Sequence, residues 1–151
     1  YIRRGYPLSC FEDAVRRLRS EDIEVIVHTI LGLPGESTQD ILNTMKYLNH
    51  QDIQGIKLQL LHVLRGTDLA SDYEKGLFRT YERDEYISLV ISCLEHLRPD
   101  MVIHRITGDG PKDLLIAPLW ASRKREVLNL LHHQMKENHN YQGRQTNWQI
   151  N

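Results

Sequence analysis

Apolar positions recur along this chain with two different spacings, and the switches between them mark out its elements. Phe11, Ala14, Val15 and Leu18 fall at i, i+3, i+4 and i+7, one stripe of an amphipathic helix, and Ser9 with Glu12 has the spacing of a capping box at its start. That helix is predicted to end near Ser20. From Ile23 to Leu31 the chain is rich in β-branched residues and nearly continuous in apolar character at its C-terminal half, the pattern of a parallel strand covered on both faces. Ser37 is the expected N-cap of a second helix, Asp40 suits its first turn, and Ile41, Leu42, Met45 and Leu48 form its expected buried stripe.

Ile56 to His62 reads as a second strand in which Lys57 and Gln59 alternate with Ile56, Leu58 and Leu60, so its two faces differ in polarity. Asp68 is placed to cap a short helix that Gly76 stops, and a longer helix after Thr80 carries Tyr86, Ile87, Val90, Ile91 and Leu94. Pro99 breaks the chain before a third strand, Met101 to Ile106, which runs into the turn-forming Thr107-Gly108-Asp109-Gly110-Pro111. A last helix, from about Ser122, is predicted to bury Val127, Leu128, Leu131 and Met135. The polar segment 138–151 shows no period and offers only Tyr141, Trp148 and Ile150 for burial, so it reads as extended or disordered. Strands alternating with helices at these intervals predict right-handed βαβ units, an α/β fold on a parallel sheet, across residues 1–137. Three strands cannot close a barrel, and the opening Tyr1-Ile2-Arg3-Arg4-Gly5-Tyr6-Pro7 reads as the end of a strand with nothing before it to pair. The expectation is half of a β/α barrel, cut from a longer protein.

Composition narrows the partners. Nineteen Lys and Arg against 20 Asp and Glu give a formal charge of −1, which favours neither nucleic acid nor an anionic membrane surface. No apolar run approaches the roughly 20 residues of a membrane-spanning helix, and no signal-peptide pattern opens the chain, so a soluble, cytoplasmic protein is expected. Cys10 and Cys93 lie far apart and outside any Cys-x-x-Cys spacing, so they read as small apolar helix residues, without a disulfide framework or a metal site of their own.

In parallel α/β folds the ligand site collects where strands run into the loops preceding helices. The residues with chemical potential gather at those places: the Gly32-Leu33-Pro34-Gly35-Glu36 turn after one strand, His62, Arg65, Gly66 and Thr67 after the next, and His104, Arg105, Asp109, Lys112 and Asp113 after the third. A strand running directly into a Gly-Pro-Gly turn and a helix start leaves backbone N–H groups open to a nucleotide-like or anionic ligand, or is simply a tight turn. His28, His62 and His104 suggest a catalytic metal, but none has ligand spacing, and satisfied core histidines are the better default. Lys57 and Gln59 read either as groups that orient a substrate or as a solvated strand face, and the rarity of solvated parallel strands favours the first. Arg105 is suited either to a carboxylate or phosphate or to an internal pair with Asp109 or Asp113. Arg123, Lys124, Arg125, His132 and His133 on the last helix make a basic face, read as solvated in the absence of interleaved aromatic residues.

Four blocks read in order, Ile2-Arg3-Arg4-Gly5-Tyr6, His28 to Glu36, Gly55 to Thr67 and His104 to Leu115, resemble the C-terminal half of a radical S-adenosylmethionine (radical SAM) protein of the bacterial Fe–S oxidoreductase type, within the superfamily that includes Elp3-like and coproporphyrinogen-dehydrogenase-like members. The resemblance covers residues 1–143. It implies a partial (β/α)6 barrel with helices outside, in which a 4Fe–4S cluster held by a Cys-x3-Cys-x2-Cys-type loop cleaves S-adenosylmethionine to a 5′-deoxyadenosyl radical for hydrogen abstraction. That loop is absent here, so this chain is expected to hold no metal, to be inactive alone, and to carry only the later cofactor and substrate contacts. By the same resemblance Ile30 and Gly32 pack against adenine within the turn that includes Leu33 and Gly35, Arg4 lies near the cofactor carboxylate, and the loop from His62 through Leu64 and Gly66 to Thr67 lies beside the nucleoside. Arg3 and Tyr6 replace the family's Asn and His. Lys57, Gln59, Arg105 and Asp109 are the candidates for holding a substrate away from water. The competing readings are a metal-dependent hydrolase barrel and a non-catalytic interaction module. The isolated chain is also expected to expose an apolar sheet edge and so to dimerise.

Overall fold

The computed structural model describes residues 5–108 and 110–147, and it contains the three predicted parallel strands, with two short ones in addition. In chain order the elements are α1 (Leu8–Ser20), β1 (Ile26–Leu31), α2 (Thr38–Asn49), β2 (Gly55–Leu60), β3 (Val63–Leu64), α3 (Asp68–Glu74), α4 (Arg83–His96), β4 (Val102–Arg105), β5 (Leu115–Ala117), a 3-10 turn (Leu119–Ser122) and α5 (Lys124–Glu137). The main sheet has the order β1-β2-β4, all parallel, with Ile26 opposite Gly55 and Leu31 opposite Leu60. A bulge between Ile56 and Lys57 shifts the register against β4.

Strand alternation sends Val27, Thr29 and Leu31 of β1, and Ile56, Leu58 and Leu60 of β2, to one face. That face packs on the helices: Ile41, Met45 and Leu48 of α2, Tyr86, Ile87 and Val90 of α4, and Val127 and Leu131 of α5 share one core with it. Fully burying each aliphatic side chain contributes about 1.5–3 kcal/mol, so this layer carries the stability of the chain. The opposite face is open. Ile26, His28 and Ile30 are exposed on β1, and Lys57 and Gln59 are half-buried on β2. The reading of β1 as covered on both faces is therefore corrected: every helix in the core lies on one side, and the apolar Ile26 and Ile30 face outward from the other.

Local chemistry explains where the elements start. The α2 N-cap is Ser37, as its sequence predicts: its hydroxyl accepts from the Asp40 N–H (3.2 Å) while the Asp40 carboxylate accepts from the Ser37 N–H (2.9 Å). For α1 the predicted capping box does not form; the helix begins one residue before Ser9, after Pro7, with no side-chain cap. Thr67, not Asp68, caps α3, accepting from the Ala70 N–H at 3.1 Å. Leu128 is exposed instead of buried, because α5 turns Val127 and Leu131 to the core and leaves Leu128 on its outer side.

Two features have no counterpart in the sequence reading. β3 pairs antiparallel with β5 in a separate two-stranded sheet, with Val63, Ala70 and Ala117 as its own small core. Arg98, which is buried, threads its guanidinium between α2 and β2, donating to the carbonyls of Ile53, Asn49 and Gln51, while its N–H donates to Asn49 Oδ1 (2.9 Å). The segment after α5 differs from expectation as well. As far as Gln145 it is fixed against α4 and the turn after it: the Gly143 N–H donates to the Leu94 carbonyl (3.0 Å), the Gln145 N–H to the Glu95 carbonyl (2.8 Å), and the Gln142 amide to the carbonyls of Arg98 (2.8 Å) and Met101 (2.7 Å). Backbone and amide hydrogen bonds, not apolar side chains, secure it, so hydropathy gave no sign of them; Tyr141 is exposed, and Trp148 and Ile150 lie outside the described residues.

Candidate functional site

Because the three long strands run parallel, the loops that follow them leave the sheet at the same end. The first two are joined by the Leu61 N–H donating to the Leu31 carbonyl (3.0 Å). The second and third meet through His62, whose ring lies against Gly108 and Gly110 so closely that a Cβ at Gly108 would stand 2.6 Å from Cε1, and one at Gly110 2.6 Å from Nδ1. All three loops thus converge on one rim.

The first loop is built by Gly32. Its φ of +90° is left-handed backbone, and a Cβ there would come within 2.9 Å of the Tyr81 ring. Tyr81 is held in turn: its carbonyl accepts from the Trp120 indole N–H (3.0 Å). Leu33 is half-buried and Gly35 exposed at the turn, and Ile30, 40% exposed, stands at the open face just before it. Glu36 closes the turn. Its carboxylate accepts from the Leu33 N–H, while burial, assisted by Asp40, pushes its carboxyl above the usual range, and its buried Oε2 has no partner among the described residues.

On the open sheet face His28 sits opposite Lys57. Desolvation, then the charges of Lys57 and Arg105, hold its imidazole below the ordinary histidine value, which places all three groups in one field. His104 is exposed on β4 with its ring over Gly55, where a Cβ would be 2.6 Å away. Neither histidine is the satisfied core residue the sequence reading favoured. His62 is half-buried, its buried Nε2 has no hydrogen-bond partner among the described residues, and burial and then Lys124 lower its pKa.

Of the residues singled out from sequence, Ile30, Gly32, Leu33, Gly35, His62, Lys57, Gln59 and Arg105 are gathered on the open face or its C-terminal rim. Leu64 and Gly66 lie farther along the second loop, Leu64 paired into the β3–β5 sheet and Gly66 exposed at the turn before α3. Arg4 and Asp109 lie outside the described residues. No group of three or more metal-ligating side chains occurs among the described residues. Cys10 is exposed on α1, and Cys93 is buried in the helical layer with its thiol pushed up to about 12 by burial. No helix among the described residues is long and apolar enough to cross a membrane. Sequence reasoning missed Tyr81, and it placed Glu36 in the turn without a role of its own. The pair was detectable only as an aromatic facing a glycine and an acid inside a turn, signals without a period.

Comparison with known proteins gives this geometry a lineage. YtqA of Bacillus subtilis (strain 168) is 41% identical over 143 residues, 95% of this chain and 44% of YtqA, and YhcC of Escherichia coli (strain K12) is 30% identical over 82% of this chain and 40% of YhcC. The chain thus spans less than half the length of these relatives. Among solved structures, the archaeal Methanocaldococcus infernus Elp3 with an N-terminal deletion superposes with a TM-score of 0.77 at 18% identity, covering 93% of this chain and 33% of that one, a likeness of fold. Residues 53–137, from the loop before β2 to the end of α5, match the Radical_SAM C-terminal domain, and the chain belongs to that family.

Proposed function

We propose that this chain is the cofactor- and substrate-facing half of a radical SAM enzyme. The observation that supports this most is the parallel sheet with helices on one face only, whose open face carries polar groups and whose three strand-end loops meet at one rim. A sheet of this kind needs something on its bare side, and a barrel lumen with a ligand supplies it.

The residues present fit S-adenosylmethionine and do not fit the cluster. Ile30 offers an apolar platform at the rim, and the loop of Gly32, Leu33 and Gly35 exposes backbone to an adenine without side-chain obstruction. Neither cysteine reaches this rim by element: Cys10 is on α1 and Cys93 lies behind the sheet in the helical core. The cluster ligands therefore belong to the remainder of the full-length protein in this reading. When bound beside that cluster, S-adenosylmethionine supplies a radical able to abstract hydrogen. What this chain contributes is position. Lys57, Gln59 and Arg105 orient the substrate across the open face, Ile26 and Ile30 keep water from it, and His28, whose imidazole is biased to the neutral form, exchanges a proton with a substrate held there.

The test uses the full-length protein reconstituted anaerobically with iron and sulfide, assayed for reductive formation of 5′-deoxyadenosine. Product is expected, with binding of S-adenosylmethionine weakened by Ile30→Asp. Absence of both cluster absorbance and product would refute the reading.

A further inference from the structure

The turn that receives the cofactor in the reading above is held from behind by Tyr81, a half-buried residue in the connection 75–82 between α3 and α4. Its ring fills the space a side chain at position 32 would need: a Cβ on Gly32 would stand 2.9 Å from Cδ2 and 3.0 Å from Cε2. Its phenol reaches the other end of the same turn. There Thr38, the first residue of α2, hydrogen-bonds the phenol oxygen; burial, and then the Glu36 carboxyl, push the phenol above its ordinary value, and the Thr38 bond counters them. One side chain thus spans the passage from β1 into α2, from Gly32 to Thr38. Tyr81 packs on the helical core, so its ring backs the turn and leaves the side toward the open sheet face clear.

Tyr81 is itself fixed. Its carbonyl accepts from the Trp120 indole N–H (3.0 Å), and the N–H of the next residue, Glu82, donates to the Glu85 carboxylate (2.9 Å), which Arg79 grips with both terminal guanidinium nitrogens (2.6 and 2.9 Å). The Trp120 ring lies against that of Tyr86, with centroids 5.6 Å apart, and the fully buried Tyr86 donates its hydroxyl to the Ile106 carbonyl (2.8 Å), just past Arg105 at the end of β4. The support of the first loop is therefore anchored at the start of the third. A connection that is neither helix nor strand has no backbone ladder to hold it, and side chains that carry a binding loop are locked instead by packing and hydrogen bonds from behind. We infer that Tyr81 is a positioning residue for S-adenosylmethionine: with its ring on Gly32 and its hydroxyl at Thr38 it keeps the turn 32–35 in the shape that receives the adenine, and Trp120 keeps Tyr81 in place. This rests on the cofactor reading and adds to it the residue on which the shape of the turn depends.

The test makes two measurements on the full-length protein: hydrogen exchange of the backbone amides of the turn without cofactor, and, after anaerobic reconstitution, binding of S-adenosylmethionine by equilibrium dialysis. Tyr81→Ala is expected to speed exchange in the turn and to weaken binding about tenfold, since a turn in its receptive shape about a tenth of the time binds about tenfold more weakly. Tyr81→Phe, which keeps the ring on Gly32, should retain most of the affinity. Trp120→Phe keeps a ring beside Tyr86 but loses the N–H, so it should move both readouts in the same direction by less, and it takes the place of Tyr81→Ala should that variant fail to fold. Leu131→Ala separates support of the turn from support of the fold: it removes core volume on α5, so it should lower the Tm and leave the affinity unchanged. Unchanged exchange in the turn of Tyr81→Ala, or binding that falls equally in Leu131→Ala, would overturn the role of Tyr81. So would undiminished binding in Tyr81→Ala while Ile30→Asp still weakens it, and the cofactor reading would then stand. No binding by the wild-type protein, or undiminished binding in both variants, would remove the cofactor reading and the positioning role with it.

Discussion

At the residue scale, the rim depends on a few contacts that admit little substitution. Gly32→Ala must place a methyl where the Tyr81 ring lies and hold a left-handed backbone, so it is expected to cost about 1–2 kcal/mol from the backbone alone, more with the clash. Urea unfolding checks this, and adding Tyr81→Ala should recover the steric part but not the backbone part. His28 gives a second measurement. Because Lys57 and Arg105 help depress its pKa, Lys57→Met should raise it, read by the His28 ring signals across a pH titration. An unchanged midpoint would place Lys57 elsewhere than opposite His28. Glycines in a strand-to-helix turn were legible from sequence because they punctuate a hydrophobic period. Tyr81, and the packing of the His62 ring on Gly108 and Gly110, were not, since a close approach across loops depends on folding and leaves no spacing in the chain.

At the element scale, the passage from β1 into α2 carries two carboxyls shifted in opposite directions. Hydrogen bonds from Ser37 hold Asp40 below the usual carboxylate range, so its contribution to stability is present above that range and is lost as pH falls through its depressed value. Burial raises Glu36, so stability declines as pH climbs from the ordinary glutamate value through its elevated one. Ser37→Ala is expected to flatten the acid side of a plot of unfolding free energy against pH, and Glu36→Gln the side above it. Deeper in the same helix, Met45 is fully buried, and Met45→Ala should cost about 2–5 kcal/mol in the same experiment. The helices α2 and α4 were readable because their apolar stripes are long. The strand pair β3–β5 was not: two and three residues are too few to show alternation, and the pairing joins segments about fifty residues apart.

At the scale of the whole molecule, the sheet is unfinished on the side of β1. Among the described residues no strand pairs its outer edge, and beside it runs a groove of about 810 Å³ lined by Tyr6, Leu8, Phe11 and Leu18 near α1 and by Ile26 to Ile30 of β1. Exposed edges of this kind recruit further strands. We propose that the 151-residue chain self-associates there when separated from the rest of its protein, so its mass by light scattering should rise with concentration, and Ile26→Lys with Ile30→Lys should lower it. A single monomeric mass over a hundredfold range of concentration would contradict this. The parallel order of β1, β2 and β4 and the convergence of their loops were legible in the alternation of strand and helix patterns. The bare face of β1 was not, because an apolar run looks the same whether or not helices cover it.

The Gln142 amide, bonded to both carbonyls that flank the turn into β4, makes the polar segment after α5 a buttress for a strand whose far end bears Arg105. Gln142→Ala is thus expected to loosen the alignment of groups at the distant rim while leaving the helical layer intact.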